Sequence, residues 1–165
     1  MDIHEQHERK AREFLARSPF CYRNLSKEEV DVFIKAMTHD SFSNEFPECK
    51  SNERLEFLGD AILEFVACEH IFLNTDIEEG PMTDAKQKIV SNHSISESVL
   101  NSAIGLDDVI KVGKGHVDPI TKSPIINETI RSDTFEAILG AIYLLRGIDD
   151  VRNVVNQILL ADTRI

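Results

Sequence analysis

The sequence lacks several features that would assign it to common classes of protein. It contains no run of about 18 apolar residues of the kind that spans a membrane. Its first residues, MDIHEQHERK, are charged and therefore unlike a secretion signal. Its 3 cysteines have no CxxC spacing, so neither a disulfide framework nor a zinc site is expected. We therefore expect a cytoplasmic protein that does not contact a membrane.

Basic residues are also few. The 165 residues include 18 Lys and Arg against 29 Asp and Glu, which gives a formal net charge of −11. A protein that holds nucleic acid through a broad basic surface normally has an excess of Lys and Arg, so the composition disfavours that class. A chain of this length can bury about two thirds of the surface that it exposes when unfolded. Residues 1–165 are expected to form a single domain.

The apolar residues recur with the period of a helix almost throughout, which predicts an all-α fold. Ser26 and Glu29 have the spacing of a capping box at the start of one helix. Three later helices are predicted to be capped by Thr83, Ser94 and Asp149. The other predicted segments are a helix at residues 3–16, an irregular link at 38–51, a long helix at 52–73, a loop at 111–126 and a last long helix at 127–146.

The predicted helix 52–73 carries a stripe of acidic side chains. At about 100° per residue, four of them fall within about 80° of one another, namely Glu53, Glu56, Asp60 and Glu64. The opposite side is apolar and is expected to face the core through Leu55, Leu58, Ile62, Phe65 and Val66. By periodicity alone, such a stripe could be an ordinary solvated face.

Phe57 makes the solvated-face interpretation less favourable. It lies about 55° from the centre of the acidic stripe and about 130° from the centre of the apolar side. Ala61, Cys68 and Phe72 share its flank. We therefore expect a partner subunit to cover this second apolar side, which would place the carboxylates at the edge of a partly enclosed cleft. Clustered like charges in such a cleft require a cation.

The predicted helix 127–146 carries a second acidic pair. Asp133 and Glu136 share a face, and Gly140, one turn further on, leaves room there for an ion or for a backbone. Carboxylates without His or Cys favour Mg²⁺ or Mn²⁺ over zinc. Two such ions about 4 Å apart support the hydrolysis of a phosphodiester. An all-α nucleotide pyrophosphohydrolase is a second interpretation, although the wide separation of Glu56 and Asp133 along the chain disfavours it.

Two motifs resemble those of the ribonuclease III family. Residues 52–61, NERLEFLGDA, resemble the signature stretch of that family, and residues 133–137, DTFEA, resemble its second acidic motif. The similarity extends to THDS at 38–41, EEG at 78–80, IKVGKG at 110–115 and LGAIYL at 139–144. In all, the resemblance spans about residues 28–160.

This resemblance implies an all-helical endoribonuclease domain that forms a homodimer and cleaves double-stranded RNA lying between the subunits. Products would carry 5′-phosphate and 3′-hydroxyl ends with short 3′ overhangs. Phe57 matches an aromatic residue that enters a socket on the partner subunit. By match to the motifs, the catalytic, metal-binding carboxylates would be Glu56, Asp60, Asp133 and Glu136, with Glu53 and Glu79 as auxiliary acidic residues.

RNA binding is expected to depend on a few local lysines and on a second module. The candidate lysines are Lys86, Lys88, Lys111 and Lys114. Most members of the family continue into a double-stranded RNA-binding domain beyond the point at which this sequence ends, at Ile165. We therefore expect that domain to be absent here and a separate RNA-binding protein or module to be a partner. A catalytically inactive relative that binds RNA or a ribonucleoprotein is an alternative, which the four matched carboxylates disfavour.

Overall fold

The structure is a computed structural model that describes residues 3–161, with side chains from residue 5 onward. The helices are α1 (Ile3–Leu15), α2 (Lys27–Ala36), α3 (Asp40–Glu45), α4 (Glu53–Asn74), α5 (Glu79–Val90), α6 (Asn92–Asn101), α7 (Glu128–Arg146) and α8 (Ile148–Ile158). Two short 3-10 turns cover Leu106–Asp108 and Lys114–His116. Within residues 3–161 there is no strand, which confirms the all-α prediction. None of the helices in this range has both the length and the apolar character needed to cross a membrane.

Helix α7 lies at the centre of the molecule. Nearly every residue from Ile130 to Ile142 is buried, and α4, α6, α2 and α8 pack against it. A helix surrounded on all sides is normally apolar all round. The charged residues Arg131 and Glu136 on this buried helix are therefore exceptions that need partners.

Local sequence fixes several helix ends as predicted. The Ser26 hydroxyl accepts a hydrogen bond from the Glu29 backbone N–H at 3.2 Å, and the Glu29 carboxylate accepts one from the Ser26 N–H at 2.7 Å. This reciprocal pair confirms the capping box. The Asn127 side chain accepts from the Ile130 N–H at 2.8 Å at the start of α7. Gly147, with φ +90°, ends that helix.

Three predicted caps are wrong. Helix α5 begins at Glu79, which places Thr83 inside it. The hydroxyl of Ser91, rather than that of Ser94, caps α6 by accepting from the Ser94 N–H. Helix α8 begins at Ile148, and no side chain caps it, so Asp149 lies in its first turn. In each case a cap-forming residue type lies near the helix end, but the chain enters the helix earlier than the polarity pattern suggests.

The segment between α2 and α4 is more ordered than the predicted irregular link, because it contains α3. Its backbone pairs with the loop that precedes α7. The His39 N–H donates to the Lys111 carbonyl at 3.0 Å, and the Lys111 N–H donates to the Met37 carbonyl at 2.8 Å. The Asn52 N–H donates to the Thr38 carbonyl at 2.8 Å, at the start of α4. Main-chain bonds therefore hold this link, the loop and the beginning of α4 together.

Candidate metal centre

Helices α4 and α7 cross with their backbones in direct contact. A Cβ atom on Gly59 would lie 1.8 Å from the Glu136 carbonyl oxygen, and one on Gly140 would lie 2.4 Å from the Leu55 carbonyl oxygen. Both distances are far shorter than any real Cβ contact, so only glycine permits this approach at either position. Of the two uses that the sequence left open for Gly140, room for an ion or for a backbone, the structure shows the second.

Three carboxylates meet beside this crossing. One oxygen atom from each of Glu56, Asp133 and Glu136 lies within 4.8 Å of the others. Glu56 precedes Gly59 by about one helical turn on α4, and Glu136 precedes Gly140 by about one turn on α7. The close crossing therefore directs side chains from both helices into one space. Oxygen donors in such a cluster are the ligands that hard divalent cations such as Mg²⁺ prefer.

The negative charges of the three carboxylates repel one another and are partly buried, which is unfavourable unless a cation is present. Glu136 is 5% exposed. Burial, and then the charges of Asp60, Asp133 and Glu56, raise the pKa of Glu136 to about 8. Burial is also the largest cause of the raised pKa values of Glu56 and Asp133. Among the side chains of residues 5–161, no Lys or Arg forms an ion pair with these three carboxylates. The donor set therefore fits a divalent cation, which would offset the cost of the buried charge.

The other three predicted acids are exposed. Asp60 follows Glu56 by one turn on α4, and its charge raises the pKa of both Glu56 and Glu136, so it lies next to the cluster. Glu53 also raises the pKa of Glu56 and accepts a hydrogen bond from the Ser51 hydroxyl at 2.7 Å. Glu79 lies in the first turn of α5, where the Thr83 hydroxyl donates to it at 3.4 Å. Of the four predicted metal-binding carboxylates, the structure thus groups three and leaves Asp60 beside them on α4. Glu53 lies one turn before Glu56 on the same helix, and Glu79 lies on α5.

The four candidate RNA-binding lysines differ in exposure. Lys88 and Lys114 are exposed. The ammonium of Lys86 lies 2.9 Å from a carboxylate oxygen of Glu64, within the acidic stripe. Lys111 is only 6% exposed, and burial lowers its pKa. Because its side chain is covered, the prediction that Lys111 contacts the RNA backbone disagrees with its position.

His39 is a further residue near the cluster. Its Nδ1 accepts the Ser41 backbone N–H at 3.3 Å and lies 2.8 Å from the Ser41 hydroxyl. Its ring meets the His116 ring edge-on, with centroids 5.5 Å apart. His39 lowers the pKa of Asp133, against the larger effect of burial. Spacing within the sequence does not reveal this proximity, because the backbone pairing of His39 with Lys111 is long-range.

Arg131 holds the start of α7 in place. Its guanidinium donates to both carboxylate oxygens of Asp107, at 2.8 and 2.6 Å, and to the Ser96 hydroxyl at 2.7 Å. It also donates to the Ile126 carbonyl at 3.1 Å. These bonds connect α7 to α6, to a 3-10 turn and to the preceding loop. They fix the helical turn that directly precedes Asp133.

One face of α4 is apolar and largely exposed. We call it the apolar face, and it consists of Phe57, Ala61, Phe65, Cys68 and Phe72. Phe57 is 81% exposed and Phe72 is 70% exposed, which confirms that this flank lies off the core. The helical period predicts Phe65 in the core, but its side chain is 52% exposed, because the apolar arc of α4 is wider than the side that its neighbours cover.

Comparison with known proteins identifies relatives that match most of the chain. Residues 29–163 match the protein family described as Ribonuclease-III-like. Ribonuclease 3 of Bifidobacterium longum is 34% identical over 130 residues, which is 78% of this chain and 52% of that protein. Ribonuclease 3 of Staphylococcus aureus is 36% identical over 135 residues, or 80% and 51% of the two chains. The chain therefore spans about half the length of these two relatives.

Two solved structures of a nuclease domain share the fold. One is the nuclease domain of Campylobacter jejuni ribonuclease III, which is described for structural flexibility in a region involved in dimer formation. Its TM-score is 0.75 at 28% sequence identity, and the match covers 93% of this chain and 99% of that one. A second structure of the same nuclease domain has a TM-score of 0.67 and 27% identity, covering 100% and 99%. Since the sequence match covers most of the chain and the fold agrees, this protein belongs to the ribonuclease-III-like family.

Proposed function

We propose that the protein is an endoribonuclease that cleaves double-stranded RNA by two-metal-ion phosphodiester hydrolysis at Glu56, Asp60, Asp133 and Glu136. The observation that carries the proposal is the cluster of three carboxylate oxygens within 4.8 Å at the α4–α7 crossing. Membership of the ribonuclease-III-like family supports the same reaction class. The expected products have 5′-phosphate and 3′-hydroxyl ends with short 3′ overhangs.

The chain supplies ligands from two helices. Asp133 and Glu136 come from α7, Glu56 comes from α4, and Asp60 adds an exposed carboxylate beside them. Bound Mg²⁺, for which Mn²⁺ can substitute, would activate the attacking water and stabilise charge on the leaving oxygen. Because Glu136 is almost fully buried, it would hold its cation away from bulk solvent, whereas the exposed Asp60 would be accessible to the substrate.

The protein is further proposed to act as a homodimer through the apolar face of α4. Exposing a Phe side chain instead of burying it costs about 1.5–3 kcal/mol, and three Phe residues of this face are more than half exposed. A second copy is the occupant that we favour, since the Campylobacter jejuni relative is described with a region involved in dimer formation. Phe57 would enter a socket on the partner, and each subunit would cut one strand.

RNA binding should be weak on its own and sensitive to salt. The net charge of −11 repels a polyanion at long range. Lys88 and Lys114 are the two candidate lysines that are exposed and without an ion pair to a described residue. The rest of the affinity would come from the bound cations and from a separate RNA-binding protein or module.

The decisive experiment offers the protein a long RNA duplex, a single-stranded RNA and a nucleoside triphosphate, each with Mg²⁺ or Ca²⁺. Cleavage of the duplex alone, with Mg²⁺, is the expected result. Glu136→Gln should abolish cleavage and leave the dimer intact, because it removes a ligand at nearly constant volume. Glu97→Gln, a change at an exposed acid on α6, is the matched control and should keep activity. Hydrolysis of the triphosphate alone, or duplex binding without cleavage, would overturn the proposal.

A further inference from the structure

Apart from the acidic carboxylate cluster, the protein has a cleft whose charged lining residues are mainly basic. It is a cleft of about 260 Å³ between α1 and residues 108–124. Three lysines line it, Lys10 on α1 and Lys111 and Lys122 on the loop, and Asp108 is the only carboxylate among its lining residues. An adjoining groove along α1 shares Lys10 and Asp108 and is also lined by Arg17 and Glu13. Together the cleft and the groove have four cationic lining residues and two acidic ones, in a chain whose net charge is −11.

Lys111 is the buried member of this group. It is 6% exposed, and main-chain bonds to Met37 and His39 fix its backbone on both sides. Its ammonium lies 5.6 Å from the centre of the Phe42 ring. Within the part of the chain that the structure describes, this ammonium has no hydrogen-bond or ion-pair partner. The ammonium is still open to solvent at the cleft, where a bound anion would supply an acceptor for it.

The loop at the mouth of the cleft is held by its own hydrogen bonds. The Asp118 carboxylate accepts from the Ile120 and Thr121 N–H groups at 2.8 and 2.7 Å. The Lys122 N–H donates to the Asp118 carbonyl at 2.9 Å. Lys122 is therefore presented by a turn that is already ordered, which lowers the entropic cost of binding a ligand there.

We propose that this cleft binds a small phosphate-bearing anion, either free phosphate or the phosphate group of a nucleotide. Lys111 would meet the anion at the buried end, and the exposed Lys10 and Lys122 would meet it at the mouth. A phosphate has several acceptor oxygens and up to two negative charges, which suits a cleft lined by three lysines better than a single carboxylate does. None of the carboxylates of the cluster lines this cleft, and its ligand would join α1 to the loop.

The test is titration of the whole protein with inorganic phosphate and, separately, with adenosine 5′-monophosphate. Binding is followed by ³¹P NMR line broadening and by the shift of the melting temperature. Ionic strength is held constant with sodium chloride, and EDTA removes divalent cations that could hold phosphate at the carboxylate cluster. We expect saturable binding of at least one of the two ligands by the wild-type protein.

Substitutions of the lysines distinguish binding in the cleft from a nonspecific effect of the phosphate anion on the protein. Lys111→Met keeps the length of the side chain and removes a buried charge, and it should weaken binding at least about tenfold, the effect of losing one charged hydrogen bond. Lys27→Met, a change at an exposed lysine on α2, should bind like the wild type. Lys10→Ala combined with Lys122→Ala should also weaken binding, and it decides the matter if Lys111→Met does not fold. The absence of saturable binding, or unchanged affinity in both cleft variants, would overturn the proposal.

Discussion

Replacing Glu136 with Gln should stabilise the metal-free protein at alkaline pH. The folded protein raises the pKa of this side chain from 4.5 to about 8, a difference of about 3.5. Each unit corresponds to about 1.4 kcal/mol of differential stability, so the ionised side chain costs the fold up to about 5 kcal/mol. Water penetration and local rearrangement reduce this upper limit, and an increase of about 2–5 kcal/mol in the free energy of unfolding is expected for Glu136→Gln.

The pH dependence follows from the same pKa values. Below pH 4.5, Glu136 is protonated in both states and contributes nothing. Between pH 4.5 and about 8, the unfolded chain has released the proton while the folded protein still holds it, so stability decreases as pH rises. Above about pH 8 the loss is complete. Since Gln does not titrate, the advantage of Glu136→Gln over the wild type should grow across this window and then stay constant.

Urea unfolding in EDTA, from pH 5 to pH 9 at one protein concentration, measures this difference. Glu97→Gln is the control, because it removes an exposed acid and should leave the pH profile unchanged. Added Mg²⁺ should narrow the difference, since a ligand at 100 times its Kd stabilises the wild type by about 2.7 kcal/mol and the variant by less. If the free energies of unfolding of the wild type and Glu136→Gln change in parallel with pH, Glu136 is not a buried carboxylate with a raised pKa.

Three further substitutions test other parts of the structure. Gly59→Ala forces the crossing helices apart and should lower the free energy of unfolding in urea by at least about 3 kcal/mol. Gly80→Ala, where a Cβ would meet open space, is the control and should not destabilise the protein. Equal effects of the two changes would contradict the close crossing. Phe57→Ala should weaken self-association about 100-fold or more in sedimentation velocity, with Ile120→Ala, equally exposed, as the control that leaves it unchanged. Arg131→Met should lower the free energy of unfolding by about 2–3 kcal/mol, because it breaks a partly buried ion pair with Asp107. A loss below about 1 kcal/mol would argue against that role.

The sequence predicts the parts of the site that depend on spacing within one helix. Glu56 and Asp60 share a face of α4, and Asp133 and Glu136 share a face of α7, because residues three or four apart in a helix must do so. The spacing does not show that the two helices meet backbone to backbone. That depends on Gly59 and Gly140 facing each other across the core, a long-range relation that neither helix contains by itself.

The other predictions also succeed where the cause is local and fail where it is long-range. The capping box at Ser26 is predictable because both of its members lie within one turn. Lys111 is a polar residue in a loop rich in glycine, which indicates exposure, but its pairing with the segment before α4 buries it. Phe65 lies at the angle of a core residue, yet the helices within residues 3–161 leave it 52% exposed. Both errors concern which part of the molecule lies opposite a residue, and periodicity carries no information about that.

The contact between Gly59 and Gly140 also bears on how sequences of this fold can diverge. Where side chains separate two helices, a change of volume in the core changes the distance between the helix axes. Here main-chain atoms touch, so the distance between the acid-bearing turns does not depend on which apolar residues fill the surrounding core. Core residues can therefore be exchanged over evolutionary time without altering the spacing of the carboxylates, provided that the two glycines remain.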